Sequence, residues 1–406
     1  MRIAIYYNMP SGGSKRALFE MIRHLVTRHE IDVFTLSTAD HDYCDLRPLV
    51  RHHVIYPFRP LPLARRPLGR LNQGIRTIDL FRLRRLQSRI ARHIDSEHYD
   101  VAFVHPCQFG QSPSLLQYLN TPSVYYCQEP PRAFYEPPVP RSYTDFSPLQ
   151  RWGNRLDPLP ARYRATLLRM DLVNVRSATL VLVNSHYSQE TFYRTYGTFA
   201  KVSRLGIDTQ EFRPVDVPTE NLVLSVGALN PRKGFEFLIR ALALINASDR
   251  PRLVVVSNYA DRLEQRYLLN LAQQLRVEFT IEVGIKDDDL VSNYNRALLT
   301  AYSPIMEPFG FVPLESMACG IPVIGVKEAG VRETIIDGVT GILVERDTGS
   351  FARAILHLSQ DFALRRKLGV QARSYVTEKW SWEMAIVDLE KHLASTAQHL
   401  AGQVQT

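Results

Sequence analysis

YSPIMEPFGFVPLESMACG, residues 302–320, follows a short apolar run at 298–302 and leads into a helical pattern with Pro313 near its first turn. Glu307 and Glu315 stand eight apart, but Pro308 and Gly310 keep one helix from carrying both. Glu307 therefore belongs to the loop at a strand's carboxyl end, and Glu315 to the first turns of the helix. Between them the amides of Phe309, Gly310, Phe311 and Val312 lead into a helix N-terminus. Unpaired N–H donors and the positive end of the dipole make such a place ready for a phosphate. Gly310 lets the backbone come close. A carboxylate just beyond, Glu315, can accept both hydrogens of a ribose diol.

Working outward, residues 225–234 read SVGALNPRKG, a strand end followed by a turn between Gly227 and Gly234. Arg232 and Lys233 in that turn can reach a diphosphate from the side opposite the 309–312 amides. Short β-branched runs alternate with longer helical patterns over the whole chain. The runs fall at 2–7, 31–36, 53–56, 100–104, 123–127, 180–183 and 201–204, then at 221–226, 252–257, 278–283, 298–302, 322–326 and 341–344. Helical segments such as 15–27 and 235–245 fill the gaps. Alternation of this kind implies parallel sheets covered by helices on both faces. Two blocks of it predict an α/β chain of two doubly wound, Rossmann-like domains, 1–212 and 213–381, with the seam in FRPVDVPTEN at 212–221. The last helical pattern, from Trp382, follows a cap at Ser381 and could join either domain.

Composition agrees with two full cores. The chain has 406 residues, 45% apolar and 22% charged, which excludes a disordered or disulfide-stapled protein. No stretch of about 20 uncharged apolar residues suits a membrane span. The five apolar residues at 3–7 are too few for a signal peptide and read as a buried first strand. Cysteines 44, 107, 127 and 319 show no metal or disulfide spacing, so reduced thiols in a cytoplasmic protein are expected. The net charge of +8 favours acidic partners. Only eight of the 49 basic residues are lysine, a bias that suits phosphate recognition and that a GC-rich genome would also produce.

Three further stretches stand out. Residues 129–160 carry eight prolines in 32 positions, which forbids a regular helix or central strand and suggests a lid or binding loop, or else a decorative insertion. Ten arginines and one acid, Asp79, lie between Arg59 and Arg92, and residues 75–94 place Leu and Ile near helical spacing under that charge. This is the pattern of an interfacial helix at an anionic membrane, with a solvated surface helix as the alternative. Nucleic acid is not expected, since no aromatic interleaving or recognised module accompanies the charge. Lys286-Asp-Asp-Asp289 imitates an acidic metal motif but leads into a helix, so capping and dipole charges explain it and no metal is assigned.

EPFGFVPLESMACGIPV, with Glu307 and Glu315, resembles the E-x7-E signature of the family 4 glycosyltransferases, retaining enzymes of the GT-B type. SVGALNPRKGFEFLIRAL, VLVNSHYSQETF, RLGIDTQEFRP and ETIIDGVTGILV resemble the same family, and MPSGG at 9–13 resembles its N-terminal glycine turn. The resemblance implies two domains facing a cleft that holds a nucleotide-diphosphate sugar, with no required metal or other cofactor. It implies that the helix at 382–406 crosses back to the N-terminal domain. Carried over, Glu307 would bind hydroxyls of the donor sugar and Glu315 the ribose. Arg232, Lys233 and the Gly310–Val312 amides would hold the diphosphate, while Gly12 and Gly13 would face the phosphates and the acceptor. The acceptor would be a glycan or a lipid-linked molecule, with peripheral contact at the cytoplasmic membrane face.

Two departures matter. Relatives often have His-Glu-Pro after the fifth strand, and here YYCQEPPR at 125–132 puts Gln128 in the place of that catalytic-site histidine. Glutamine keeps the hydrogen-bonding capacity and loses the titration. Relatives also often place Arg after the glycine of the phosphate turn, where this chain has Ala228. His105, in FVHPCQF at the end of the 100–104 strand, is a further candidate at the same edge, with a structural histidine as its other reading. Sugar transfer leads over two rival readings, an epimerase or phosphorylase of the same fold and a non-catalytic nucleotide-sugar-binding or membrane-adaptor protein. The Arg-Lys turn together with E-x7-E favours transfer.

Overall fold

The β-branched runs form thirteen strands among the described residues, every named pairing parallel, in a sheet of seven and a sheet of six. The structure, a computed structural model, describes residues 1–65, 68–144 and 157–401. By internal contacts the chain divides into two units: 1–138, 145–204 and 385–406 form the first, and 139–144 with 205–384 the second.

The first unit holds β1 (Arg2–Asn8), β2 (Glu30–Leu36), β3 (His52–Tyr56), β4 (Val101–Cys107), β5 (Ser123–Tyr126), β6 (Leu180–Val183) and β7 (Lys201–Val202). They lie in the order β3-β2-β1-β4-β5-β6-β7. Helices α1 (Gly13–Leu25), α2 (Asn72–Ser96), α3 (Pro158–Ser177) and α4 (His186–Tyr196) connect them. In α1, Ala17, Leu18, Met21, Ile22 and Leu25 are buried at helical spacing, which fixes the face turned to the sheet. The pairing of β1 with β4 shifts register between Tyr6 and Asn8, opposite His105-Pro106. Proline cannot donate to the ladder, and the irregularity falls where that donor is missing. The apolar run at 100–104 therefore continues to Cys107 through a proline that in sequence reads as its end.

The second unit holds β8 (Leu222–Val226), β9 (Arg252–Ser257), β10 (Phe279–Val283), β11 (Leu299–Tyr302), β12 (Val323–Val326) and β13 (Gly341–Val344), in the order β10-β9-β8-β11-β12-β13. Its helices of eight residues or more are α5 (Phe235–Ala243), α6 (Arg262–Gln274), α7 (Asp287–Arg296), α8 (Phe311–Ala318), α9 (Thr348–Gln360) and α10 (Phe362–Lys379). Counted within each unit, the first six strands of both follow 3-2-1-4-5-6, the doubly wound dinucleotide-binding order. Ligands of such sheets sit outside the carboxyl ends of the strands at the switch point. That point lies between β1 and β4 in the first sheet, and between β8 and β11 in the second.

The last helix, α11 (Trp382–Ala401), belongs from Ala385 onward to the first unit. There Ile386, Leu389 and Leu393 are buried, and Glu390 accepts from Arg28 and His29 at 2.9 and 2.8 Å. Residues 402–406 lie outside the described part. The division falls between Arg204 and Leu205, ahead of the seam expected at 212, because the stretch after Leu205 packs within the second unit. The Ile207 amide donates to the Trp380 carbonyl at 2.8 Å, and Arg373 donates to the Phe212 carbonyl at 3.0 Å. Of the proline-rich stretch, 145–156 lie outside the described residues. Its last residues open α3, with Asp157 as N-cap accepting from the Leu159 amide at 3.0 Å and Pro158 in the first turn.

Asp287–Asp289 form the first turn of α7, and Lys286, not an aspartate, stands at the cap position. Among the described residues no group of three His, Cys, Asp or Glu side chains is placed to hold a metal. No described helix is long and apolar enough to cross a membrane.

Candidate active site

In the second unit the two loops singled out from the sequence are those leaving the switch-point strands. The β8 loop turns through Pro231–Lys233 and ends at Gly234, which is left-handed at φ 73°. Asn230 caps this turn by accepting from the Arg232 amide at 3.0 Å. The β11 loop passes Ser303, Glu307 and Gly310 before α8. The two loops are joined side by side: the Ile305 amide donates to the Arg232 carbonyl at 2.7 Å, and Ser303 Oγ to the Gly234 carbonyl at 3.0 Å. Lys233 Nζ meets both oxygens of Glu307 at 2.9 and 3.2 Å. Both side chains are partly open to solvent, at 24% and 18%. A cation and a carboxylate thus face each other at the point where the fold places ligands.

Gly310, at φ 99°, is the N-cap of α8. A Cβ there would come 3.2 Å from the Tyr302 ring, so both the backbone angle and the space demand glycine. Phe309 is buried, edge-on to Trp380 and Phe311, and anchors the loop from below. Val312 follows Phe311 in the first turn of the helix. Glu315 is buried and accepts from the Tyr294 hydroxyl at 2.6 Å. Arg232 and Lys233 remain half-buried in their turn.

Several residues that hold this loop carry no sequence signal. Arg346 forks onto Glu328 with two bonds of 2.7 Å and also donates to the Ser303 and Pro304 carbonyls at 3.0 and 2.7 Å. The Gly330 amide donates to the Glu307 carbonyl at 2.9 Å. Met306, immediately before Glu307, is left-handed at φ 51°, a conformation that costs a non-glycine residue about 1–2 kcal/mol. Arg346 and Gly330 grip the backbone on either side of Met306 and so fix where the Glu307 carboxylate points.

The first unit gathers a second group. Gly12, at φ 143°, is the N-cap of α1, and Gly13 is its first residue. A Cβ on Gly12 would meet nothing within 4 Å, so the turn is open above. Gln128, two residues beyond β5, donates from Nε2 to the Ser14 carbonyl at 3.1 Å, and its own carbonyl accepts from Asn184 at 3.2 Å. The structure thus brings Gln128 to the start of α1. His105 lies elsewhere: inside β4, fully buried, stacked on Tyr126 at 5.7 Å and edge-on to Phe103 at 4.5 Å. Burial, and then the charge of Lys15, push its pKa down to about 3, so the ring is neutral at ordinary pH. Lys15 has no counterpart in the sequence reading. It is fully buried, with Nζ 4.1 Å from the centre of the Tyr7 ring, and burial lowers its pKa to about 8.

Two family models divide the chain between them. The one described as "Glycosyltransferase Family 4" matches residues 11–211, and the one described as "Glycosyl transferases group 1" matches 207–375. The chain belongs to glycosyltransferase family 4. This family 4 chain is 28% identical over 228 residues to a GDP-mannose-dependent α-(1-6)-phosphatidylinositol monomannoside mannosyltransferase of Mycolicibacterium smegmatis, covering 50% of this chain and 59% of that protein. The matches span about half the length of the curated relatives, between 42% and 62%. Among solved structures, sucrose-phosphate synthase of Thermosynechococcus elongatus superposes with a TM-score of 0.74 at 22% identity, covering 97% of this chain and 98% of that one. Anabaena HepE, solved with UDP and glucose, gives 0.70 at 20% identity, covering 97% and 100%. At these identities the likeness establishes the fold, the paired Rossmann-like domains of the GT-B type.

Proposed function

We propose that this family 4 chain is a retaining, metal-independent glycosyltransferase that moves a sugar from a nucleotide-diphosphate donor to an acceptor hydroxyl. The observation that carries the reading is the Lys233–Glu307 pair, set where the two switch-point loops meet and beside the N-terminus of α8. A diphosphate arriving there exchanges its charge for that of Glu307 on Lys233, and the freed carboxylate turns to the sugar hydroxyls. Arg232, Lys233 and the helix dipole then stabilise the negative charge that grows as the leaving group departs. Glu315 is assigned the ribose. In the first unit, Gly12 and Gly13 offer an open turn to phosphates or acceptor, and Gln128 is assigned a hydrogen bond near the reacting sugar.

The test is thermal. UDP, GDP and ADP are each titrated with EDTA present, since a ligand at 100 times its Kd adds about 2.7 kcal/mol of stability. One nucleotide should raise Tm, and the matching sugar donor should be hydrolysed to the anomer it started from, followed by NMR. Stabilisation by none of the three would remove the donor site. An inverted product, or a metal requirement, would overturn the corresponding part of the reading.

The acceptor is proposed to be lipid-linked or a glycan grown at a membrane, with the protein cytoplasmic and peripheral on an anionic surface. In α2, Ile78 and Phe81 are exposed at 53% and 48%, beside the exposed Arg76, Arg82, Arg85, Arg89 and Arg92. An exposed apolar pair within a basic face suits the boundary between headgroup and acyl chain. Arg84 does not serve this face, since it is held by the Tyr118 hydroxyl at 2.6 Å and by Gln117. The protein should sediment with phosphatidylglycerol vesicles at low salt and release as salt rises, because surface charge is screened beyond about 8 Å at physiological ionic strength. Arg85→Gln/Arg89→Gln should weaken binding severalfold. Indifference of the wild type to such vesicles at low salt would leave α2 a solvated helix.

A further inference from the structure

Residues 139–144 belong to the second unit, although the chain before them is part of the first and returns to it in α3. Arg141 and Tyr143 tie this segment to the rest of the second unit. Arg141, 4% exposed, sends Nε and Nη2 to the two oxygens of Glu264 at 3.0 Å each, and Nη1 to Glu236 at 2.7 Å. Tyr143 adds a hydroxyl bond to Glu264, and the Arg141 guanidinium lies 5.1 Å from the centre of the Tyr267 ring. Glu264 itself is 1% exposed. A buried fork onto one carboxylate with a second carboxylate on the remaining nitrogen is strong and directional, and removing either side strands a buried charge.

Both carboxylates stand next to loops at the carboxyl edge of the sheet. Glu236 is the second residue of α5, directly after Gly234, which closes the Arg232–Lys233 turn. Glu264 is the third residue of α6, whose cap Asp261 ends the loop leaving β9. These loops are themselves paired, the Leu229 amide donating to the Tyr259 carbonyl at 3.0 Å. The guanidinium therefore bridges the first turns of the two helices behind the turn that carries both donor-side cations.

We propose that Arg141 is a positioning residue for the donor turn: through Glu236 and Glu264 it sets the pose of Pro231–Lys233 for a nucleoside diphosphate. This rests on the donor-binding reading of that turn. Arg141 does not touch the donor. Donor affinity is thereby made to depend on residues 139–144, which lie outside the turn itself.

The experiment uses the full chain and two readouts, amide hydrogen exchange and calorimetric titration with UDP and with GDP. In Arg141→Ala, exchange at 229–238 and at 139–144 should rise at least tenfold, and the Kd of the nucleotide that binds should rise about 5–20-fold. Arg141→Lys keeps the charge without the fork and should fall between. Tyr143→Phe, which removes one hydrogen bond to Glu264, gives the same signs at smaller size should Arg141→Ala fail to fold. Arg250→Ala controls for destabilisation alone, since Arg250 holds the far end of α5 through the Ala243 and Ile245 carbonyls. It should lower Tm and leave Kd unchanged. Exchange at 229–238 equal to wild type in Arg141→Lys and Tyr143→Phe would overturn the proposal, as would a Kd loss in Arg250→Ala matching that of Arg141→Ala. If wild type binds neither UDP nor GDP, the donor reading fails, and exchange at 229–238 still decides whether Arg141 sets the turn.

Discussion

Lys233→Ala is expected to lower kcat for donor turnover by about 10²–10³-fold, the loss seen when one preorganised donor to a developing anion is removed. In the structure the ammonium is already compensated by Glu307 at 2.9 Å. Handing it to a phosphate in the ground state therefore gains little, and the larger gain comes as the leaving diphosphate takes up charge, which is the condition for a kcat effect. The single variant also leaves Glu307 facing the diphosphate as an uncompensated anion, so the donor KM should rise as well, by roughly tenfold. The two consequences separate in the double variant. Lys233→Ala/Glu307→Gln removes the repulsion and should bring KM back toward wild type without restoring kcat, the non-additivity expected of two residues in contact. Nucleotide release under single-turnover conditions measures both quantities. A kcat for Lys233→Ala within threefold of wild type would show that the cation is structural.

The contact between Lys233 and Glu307 spans 74 residues, yet both partners could be named from the sequence. Each sits in a loop that glycine and proline mark as leaving a strand, and strand order brings those loops to one edge. What holds the site was less readable. The Arg346–Glu328 fork joins residues 18 apart with no periodic spacing, and the left-handed backbone of Met306 has no compositional sign. Tyr294, the partner of Glu315, reads as an ordinary helix residue. Pro106 disguises the length of β4: in the sequence His105 reads as a strand end, whereas it lies in the buried interior of the strand. The insertion at 129–160 could be recognised as irregular from its prolines. That Arg141 would find carboxylates 95 and 123 residues away depends on the folded positions of α5 and α6, which no local pattern encodes.

Gly234→Ala should weaken nucleotide binding at least 100-fold, while Gly338→Ala should leave it intact, although the two glycines share nearly the same backbone angle, φ 73° and 71°. A left-handed alanine costs about 1–2 kcal/mol at either place, so backbone strain alone predicts equal, modest losses of stability. Space separates them. At Gly338 a Cβ meets nothing within 4 Å. At Gly234 it would lie 2.1 Å from the Ser303 carbonyl oxygen and 2.9 Å from Ser303 Oγ. Backbone cannot yield as a flexible side chain can, and Ser303 is further fixed by the Arg346 bond to that same carbonyl. The methyl group must therefore part the loops leaving β8 and β11, break the Ser303–Gly234 hydrogen bond, and carry Arg232 and Lys233 away from Glu307. A displacement of about 1 Å at a site of this kind can cost 10²-fold in rate. The expected result is a fall of a few degrees in Tm for Gly338→Ala with unchanged Kd. For Gly234→Ala, Tm should fall further and nucleotide affinity should weaken by at least 100-fold. Equal affinities in the two variants would mean that the junction of the two loops is not where the donor binds.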